Sequence, residues 1–259
     1  MDILIYGTVN SVVFSLIAVG FTLVYGVARV PNFAHGSIYV LVGFLTWSFV
    51  NDLKMNYALA IILALVIASI VGLLIYRLVL IRLRGMPTSE IIASFAVSLI
   101  ILEGLRMQGI AGFKGFIGPF YTLKPFVEGK ISIAGIFVDY QRLIIIGAGL
   151  GLVIFLWIFT HHTKIGLSLR AIAQDERAAM MLGVNSDRTA MISLSIGSAL
   201  AGIAAVTILP LGSVRAEEGY RVLIYALAVC IIGGLGSWGG AVLASFVLAF
   251  AMKISTSFF

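Results

Sequence analysis

The chain has 259 residues, of which 61% are hydrophobic and 11% are charged, and its formal net charge is +6. A soluble domain carries about 25% charged residues because its surface faces water, so this composition excludes a soluble enzyme, a disordered chain and a disulfide scaffold, and predicts a polytopic membrane protein. The basic residues are scattered through short loops, where we expect them to face anionic lipid or a soluble partner rather than nucleic acid.

Apolar runs follow one another along the chain. A membrane helix needs about 20 apolar residues, and the candidates for single spans are 3–28, 30–51, 57–76, 91–105, 143–160 and 189–214. The last run, 222–252, is too long for one span and too short for two, and it has a glycine cluster in its middle. These runs predict an all-α, polytopic transmembrane helix bundle of about 7–8 spans, with one or two broken or re-entrant helices.

Two connections, 108–139 and 164–188, are hydrophilic enough to be loops. Lys253 is assigned to neither side, and the other lysines and arginines divide equally between the two sides of the predicted bundle, eight against eight, so the positive-inside rule leaves the orientation open. In the second loop, residues 168–182 have apolar positions at helical spacing and predict a short helix, which Asp187 follows as the expected cap of the next span. The exposed end of this helix favours docking in a groove of a soluble partner, and lying on lipid is the alternative.

Small and polar residues inside the spans indicate which faces point into the bundle. One run has a small residue at every fourth position, at Ser193, Gly197, Ala201 and Ala205. Gly147 and Gly151 predict a second face of close approach. A third span has polar residues four apart, at Glu90, Ser94 and Ser98, which we expect to point inward, and Glu103 is expected to pair with Arg106 three positions later.

A proline interrupts the second apolar run. Pro31 removes a backbone donor and disfavours helix at the residue before it, and Asn32 is a good helix N-cap. One helix should therefore end near Arg29 and another begin near Asn32, with Asn32 and His35 on one face. Polar groups at a break within a membrane are costly unless they pair internally or line a cavity. An interfacial turn and a solute pathway are both compatible with this pattern.

The glycine cluster at 233–240 predicts a second break. Backbone groups freed at such a break can bind polar solutes, whereas tight helix crossing is the structural alternative. Elsewhere, His161 and His162 have no third ligand at suitable spacing, so no metal site is predicted. No nucleophile–base set or phosphate-binding loop is present in the sequence.

Three segments, in the same order along the chain, resemble the branched-chain amino acid permeases of ATP-binding-cassette (ABC) importers. GFTLVYG at 20–26, followed by NFAHG at 32–36, is similar to the opening of these permeases, and more to the H-type than to the M-type subunit. The pattern T-K-x-G-L-x-L-R-A at 163–171, followed by R-A-A-x-x-x-G at 177–183, resembles their version of the EAA coupling loop. G-G-L-G-S-x-x-G at 233–240 is similar to their late glycine-rich signature.

The resemblance implies a single permease domain over residues 1–259 that pairs with a second, M-type permease subunit. It also implies two ATP-binding subunits docked on loop 164–188, an extracytoplasmic solute-binding protein, and a multi-pass location in a bacterial or archaeal inner membrane. Loop 164–188 is then cytoplasmic and loop 108–139 is extracytoplasmic. ATP is bound by the partner subunits, so no cofactor, metal or catalytic residue is expected in this chain.

The helix breaks and the resemblance together assign three groups of residues. The expected substrate pathway contains Pro31, Asn32, His35, Gly36, Gly234, Gly236 and Ser237. The expected ATPase-coupling residues are Arg170, Arg177, Ala178, Ala179 and Gly183. The expected docking residues for the binding protein are Arg215, Glu217, Glu218 and Arg221. Arg177 stands where the name-giving EAA motif has glutamate, but the alanines and glycine keep the helix slim enough to enter a groove.

The predicted function is import of branched-chain amino acids or a related small polar solute, driven by partner ATPases. Within transport, the alternative is a permease for urea, short amides or organic acids. Outside ABC transport, a multispanning membrane enzyme or a passive channel would fit the composition. An enzyme would not need the helix in loop 164–188, and a channel would not need ATP.

Overall fold

A computed structural model describes residues 2–107, 127, 129–133, 136–212 and 215–258. In chain order the helices are α1 (Asp2–Ala28), α2 (His35–Asn51), α3 (Tyr57–Ile75), α4 (Ile81–Leu83), α5 (Pro87–Met107), α6 (Tyr140–His162), α7 (Lys164–Gln174), α8 (Glu176–Met181), α9 (Ser186–Ile208), α10 (Glu218–Gly233) and α11 (Trp238–Phe258). A π-helical turn, Tyr76–Leu80, joins α3 to α4, and a 3-10 turn, Leu209–Leu211, follows α9. Strands β1 (Lys130–Ile133) and β2 (Ile136–Asp139) form an antiparallel hairpin in which Lys130 pairs with Asp139.

The helices form the all-α polytopic bundle that the sequence predicts. Within the described ranges, six helical segments are long and apolar enough to cross a membrane, namely Ile3–Ala28, Tyr57–Leu83, Pro87–Met107, Tyr140–His162, Ser186–Ile208 and Trp238–Ser257. Two more helices, α2 and α10, have 17 and 16 residues and are shorter than these spans. The β-hairpin is an addition that the sequence did not predict, and it lies at the end of loop 108–139, whose residues 108–126 are outside the described ranges.

Helix α1 lies at the centre of the bundle, with α6, α9, α10 and α11 packed around it. It runs antiparallel to α11, because Gly7 near its start faces Phe250 and Gly26 near its end faces Gly236. Midway between these points the buried Ser15 and Ser245 hydroxyls are hydrogen-bonded. An apolar helix surrounded in this way can be uniformly hydrophobic, which is why α1 has no polar face.

Small residues allow α1 and α9 to approach closely, as the four-residue spacing in α9 predicts. A Cβ atom placed on Gly197 would lie 3.0 Å from the Gly20 carbonyl oxygen, and one placed on Gly20 would lie 3.1 Å from the Gly197 carbonyl oxygen. The Ser193 hydroxyl donates to the Leu23 carbonyl at 3.1 Å. This contact confirms the predicted face, since only backbone-to-backbone proximity leaves so little room.

The second predicted face of close approach is wrong. A Cβ atom on Gly147 or Gly151 would meet no atom of the described residues within 4 Å. Gly149, on the other side of α6, instead packs against Val12 of α1. Glycine spacing identifies residues that share a helix face, but it does not tell which face meets a neighbour.

The coupling loop contains two helices rather than the single helix predicted over 168–182. Asp175 is extended, at φ −148° and ψ 108°, and its carboxylate accepts hydrogen bonds from the Arg177 and Ala178 amides at 2.9 and 3.1 Å. This cap ends α7 and starts α8. The prediction that Asp187 caps α9 is also wrong, because Asn185 accepts from the Arg188 amide at 2.9 Å and performs that role.

We predict that Gly197→Ala lowers the thermal unfolding midpoint of the purified chain in detergent. A methyl group there must displace Val24 or the Gly20 backbone, and overpacking of this kind costs about 1–3 kcal/mol. Gly151→Ala is the matched control, because its Cβ would meet no described atom within 4 Å. Equal midpoints for the two variants would contradict the α1–α9 contact.

Candidate functional site

The first break in the helices lies between α1 and α2. Helix α1 ends at Ala28, and Arg29 follows in a left-handed conformation with φ 57°. Pro31 lies in the connecting segment, as the sequence predicts, but α2 begins at His35 rather than at Asn32. The Asn32 side-chain oxygen accepts from the Ala34 amide at 3.1 Å. Asn32 therefore satisfies a free amide ahead of the helix.

The first turn of α2 lies beside the middle of α1. His35 is 2% exposed, and its Nε2 atom is 3.1 Å from the carbonyl oxygen of Ile17. Ile17 is eleven residues before the end of α1, or about 17 Å along the helix axis. The chain thus turns back after α1, and α2 begins inside the bundle instead of at its surface.

Neighbouring helices close tightly around this first turn. The Phe33 amide donates to the Ser94 hydroxyl of α5 at 3.1 Å. A Cβ atom on Gly36 would collide with the Gly219 carbonyl at the start of α10. The inward face of α5 is polar as predicted, since Glu90, Ser94 and Ser98 are all buried. Asn32, His35 and Gly36 consequently form a buried group at the meeting point of α1, α2, α5 and α10.

The second break separates α10 from α11, as the glycine cluster predicts. Gly234 and Gly236 have φ values of 88° and 84°, which glycine adopts without steric penalty. The Ser237 hydroxyl accepts from the Gly240 amide at 3.2 Å. A Cβ atom on Gly26 would lie 3.7 Å from the Cα of Gly236, so this break is packed against the last turn of α1.

The predicted pathway residues therefore form two groups rather than one. Asn32, His35 and Gly36 lie beside the middle of α1, whereas Gly234, Gly236 and Ser237 lie at its end. The separation along α1 from Ile17 to Gly26 is about 14 Å. Sequence reasoning identified both breaks but not their different depths.

The hinge between α7 and α8 is held by the end of α1. The Arg29 guanidinium donates to the Ala173 and Gln174 carbonyls at 2.9 and 3.0 Å. These are the last carbonyls of α7, which have no partner within the helix, and a cation there also interacts favourably with the helix dipole. Arg29 on one side and Asp175 on the other thus determine where α7 ends.

A second arginine connects the coupling loop to the end of α4. The Arg84 guanidinium contacts the Glu176 and Asp187 carboxylates and the Ser186 hydroxyl. The Tyr76 hydroxyl donates to Asp187 at 2.9 Å. The sequence did not indicate these roles, because the acidic partners lie about 90–110 positions away along the chain.

Three of the predicted coupling residues lie on an exposed tip. Arg177 and Ala178 on α8 are exposed, and Gly183 ends the tip with φ 87° and open space around its Cα among the described residues. Between them, Met181 and Leu182 are 89% and 85% exposed. The exposed end that the sequence predicts for this helix is therefore present, and two of its residues are apolar.

The other two predicted coupling residues face inward. Ala179 is buried against the bundle. Arg170 lines a cavity between α7 and the ends of α1 and α6. Ala179 and Arg170 are therefore less accessible to a docked subunit than the residues of the tip.

The residues predicted to dock the binding protein lie at the end of the bundle opposite to the coupling loop. Helix α5 runs from one end to the other and is about 31 Å long. Arg106 of α5 pairs with Glu103 at 3.4 Å, as predicted, and also with Glu217. Arg221 pairs with Glu218 at 3.3 Å, and Arg215 is exposed. The Glu217 backbone amide and then Arg106 lower the pKa of the Glu217 carboxyl below its usual range, so this carboxylate remains charged at neutral pH.

The chain matches over residues 3–259 the family model described as the permease component of the branched-chain amino acid transport system. The chain belongs to this family. It is an H-type permease subunit of an ABC importer and a multi-pass protein of the inner membrane. The buried polar groups and helix breaks described above are therefore features of a transport subunit.

Individual relatives agree with this assignment. The permease protein BraD of the Pseudomonas aeruginosa high-affinity branched-chain amino acid transport system is 27% identical over 99% of this chain and 86% of its own length. The corresponding Escherichia coli protein LivH is 26% identical over 95% of this chain and 82% of its own length. The autoinducer 2 import permease LsrD of Salmonella paratyphi B is 26% identical over 93% of this chain and 70% of its own length.

We predict that Arg29→Ala loosens the end of α7 without unfolding the permease. The two hydrogen bonds come from one nitrogen of an exposed arginine and contribute about 1.5 kcal/mol together, so the loss of this cap should speed amide exchange across residues 171–178 by about tenfold. Hydrogen-exchange mass spectrometry measures this effect. Arg77→Ala, which removes an exposed arginine from the same end of the bundle, should leave the exchange unchanged. Identical exchange in the two variants would show that Arg29 does not hold the hinge.

Proposed function

We propose that this permease moves branched-chain amino acids, or a related small polar solute, past the first turn of α2. The observation that carries the proposal is a helix that begins inside the bundle with buried Asn32 and His35 at its start. Interrupted helices with free ends at mid-depth are the usual way in which transporters present polar groups to a solute. The printed names of BraD and LivH support the choice of solute.

We further propose that ATP-binding subunits dock on the tip formed by residues 177–183, on the cytoplasmic side. The tip is narrow and exposed, and it is apolar at Met181 and Leu182. A tip of this kind can insert into a groove on a partner. Movement of the tip reaches α1 through Arg29 and reaches α4 through Arg84. Closure of the ATPases would therefore shift α1, which lies beside the path, and so switch its access.

The remaining partners follow from this arrangement. A solute-binding protein is proposed to dock at the end of the bundle that carries Arg215, Glu217, Glu218 and Arg221. Charges at the rim of such an interface change the association rate more than the affinity. A second, M-type permease is proposed to complete the path. Helices α2 and α10 have 17 and 16 residues and are shorter than the about 20 residues that a full span needs. We propose that one or both cross the membrane in addition to the six longer segments, which gives 7–8 spans. Hydrolysis of ATP belongs to the partner subunits, and this chain acts only as a transport subunit.

A second candidate solute is autoinducer 2, since LsrD is named for its import and matches this chain over most of its length. Urea, short amides and organic acids remain alternatives. Because specificity in such systems is determined largely by the binding protein, binding assays with the cognate binding protein would distinguish these solutes.

We predict that Asn32→Ala and His35→Ala each lower leucine uptake about tenfold, because each removes a buried polar partner at the start of α2. Uptake of labelled leucine into proteoliposomes containing the assembled importer measures this effect. Thr46→Val is the control, since among the described residues this buried hydroxyl of α2 donates only to the Val42 carbonyl of its own helix. Unchanged uptake and assembly in both alanine variants would refute the proposed path.

We predict that Gly183→Arg abolishes docking of the ATPase or its coupling to transport. The residue at φ 87° would be strained and would add bulk to a tip that must enter a groove. Gly85→Arg is the control, because Gly85 has nearly the same φ, 88°, and also has open space around it among the described residues. Co-purification of the ATPase and solute-stimulated ATP hydrolysis should fail only for Gly183→Arg. Normal transport in that variant would refute the proposed docking.

A further inference from the structure

A cavity of about 350 Å³ lies where the ends of α1 and α6 meet α7 and the 234–237 break. We call it the Arg170 cavity. Its apolar wall includes Leu23, Val27, Leu169 and Trp238. Arg170 is the one arginine or lysine among the described lining residues, and none of them is a carboxylate.

Arg170 has no partner in the described part of the chain. Its Nε atom is buried without a hydrogen bond, and its guanidinium makes no hydrogen bond or ion pair to those residues. A buried donor on a charged group is costly when it is left unpaired, and an anion that accepts from it removes that cost. The cavity therefore fits a ligand with a negative charge at Arg170 and an apolar part along Leu23 and Val27.

The neighbouring charges are also positive. An adjoining cavity of about 310 Å³ shares Gly26, Ala173 and Gly236 with the first and is lined by Arg29. No carboxylate lines this second cavity among the described residues. A zwitterionic amino acid would leave its ammonium group without an acidic partner here. A phosphodiester carries the negative charge alone and matches the site better.

The level of the cavity in the bundle also points to lipid. Trp157, one turn before the end of α6, is 56% exposed, and its ring stacks on the lining residue His161 with 4.9 Å between centroids. An exposed tryptophan at the end of a span is typical of the headgroup region of a membrane. Towards the middle of α6, Ile154 and Phe155 are exposed apolar residues, as expected for a surface that faces acyl chains.

We propose that the Arg170 cavity binds the phosphate group of an anionic phospholipid. Arg170 donates to the phosphate oxygens, and the start of an acyl chain lies along Leu23 and Val27. Bound lipid would thereby brace α7 against α1 beside the hinge that Arg29 holds. This site is independent of which solute the permease carries, so its test is separate from the uptake experiments.

Tryptophan quenching by brominated lipid tests the proposal on the full chain. The chain has three tryptophans, so Trp47→Phe with Trp157→Phe leaves Trp238 in the cavity wall as the only emitter. This variant is reconstituted in phosphatidylcholine bilayers with increasing brominated phosphatidylglycerol or, separately, brominated phosphatidylcholine. One basic side chain near the surface favours an anionic lipid by a factor of about five, so quenching should show about a fivefold preference for phosphatidylglycerol.

Variants and competitors separate the outcomes. Arg170→Gln should abolish the preference, Arg170→Lys should retain most of it, and Arg177→Gln, on the exposed tip, should leave it unchanged. Equal quenching by the two lipids, or a preference that survives Arg170→Gln, would overturn the proposal. Relief of quenching by leucine or by inorganic phosphate would assign the cavity to a soluble anion and would also overturn it.

Discussion

Every helix end inside this bundle needs its backbone groups satisfied by the protein, because the hydrocarbon core supplies no water. The start of α2 shows how this requirement is met. Asn32 accepts from the Ala34 amide, and Ser94 accepts from the Phe33 amide. His35 is bound to the backbone of α1. These contacts hold an interrupted helix at mid-depth, so the residues proposed to meet the solute are first of all those that make the interruption stable.

The coupling loop depends on a related requirement at the other end of α1. The last carbonyls of α7 need donors, and Arg29 supplies them from the residue that follows α1. Arg84 connects the start of α8 and the start of α9 to the end of α4. The coupling loop is thus connected by charged hydrogen bonds to the residue after α1 and to the residue after α4. Hydrogen bonds with a charged donor are shorter and stronger than neutral ones, so these contacts fix the position of the loop firmly.

Where sequence interpretation failed, the missing information was the identity of a neighbour. The single helix predicted over 168–182 is interrupted at Asp175, whose capping role is a local signal that apolar periodicity obscured. Asp187 has the chemistry of a cap, but Tyr76 and Arg84 engage its carboxylate. Gly147 and Gly151 share a face that meets no described residue. A pattern within one helix does not specify what lies opposite it.

The sequence by itself determined the membrane class, both helix breaks, the inward polar face of α5 and the small-residue face of α9. Proline, glycine and hydrophobic periodicity act through the chain's own backbone, so they can be interpreted without knowledge of neighbours. Only the tertiary structure decided that the two breaks lie at different depths of α1. It also decided that Arg29 and Arg84 hold the coupling loop and that Arg170 faces a cavity. Those outcomes depend on contacts between residues far apart in sequence, which the packing of whole helices brings together.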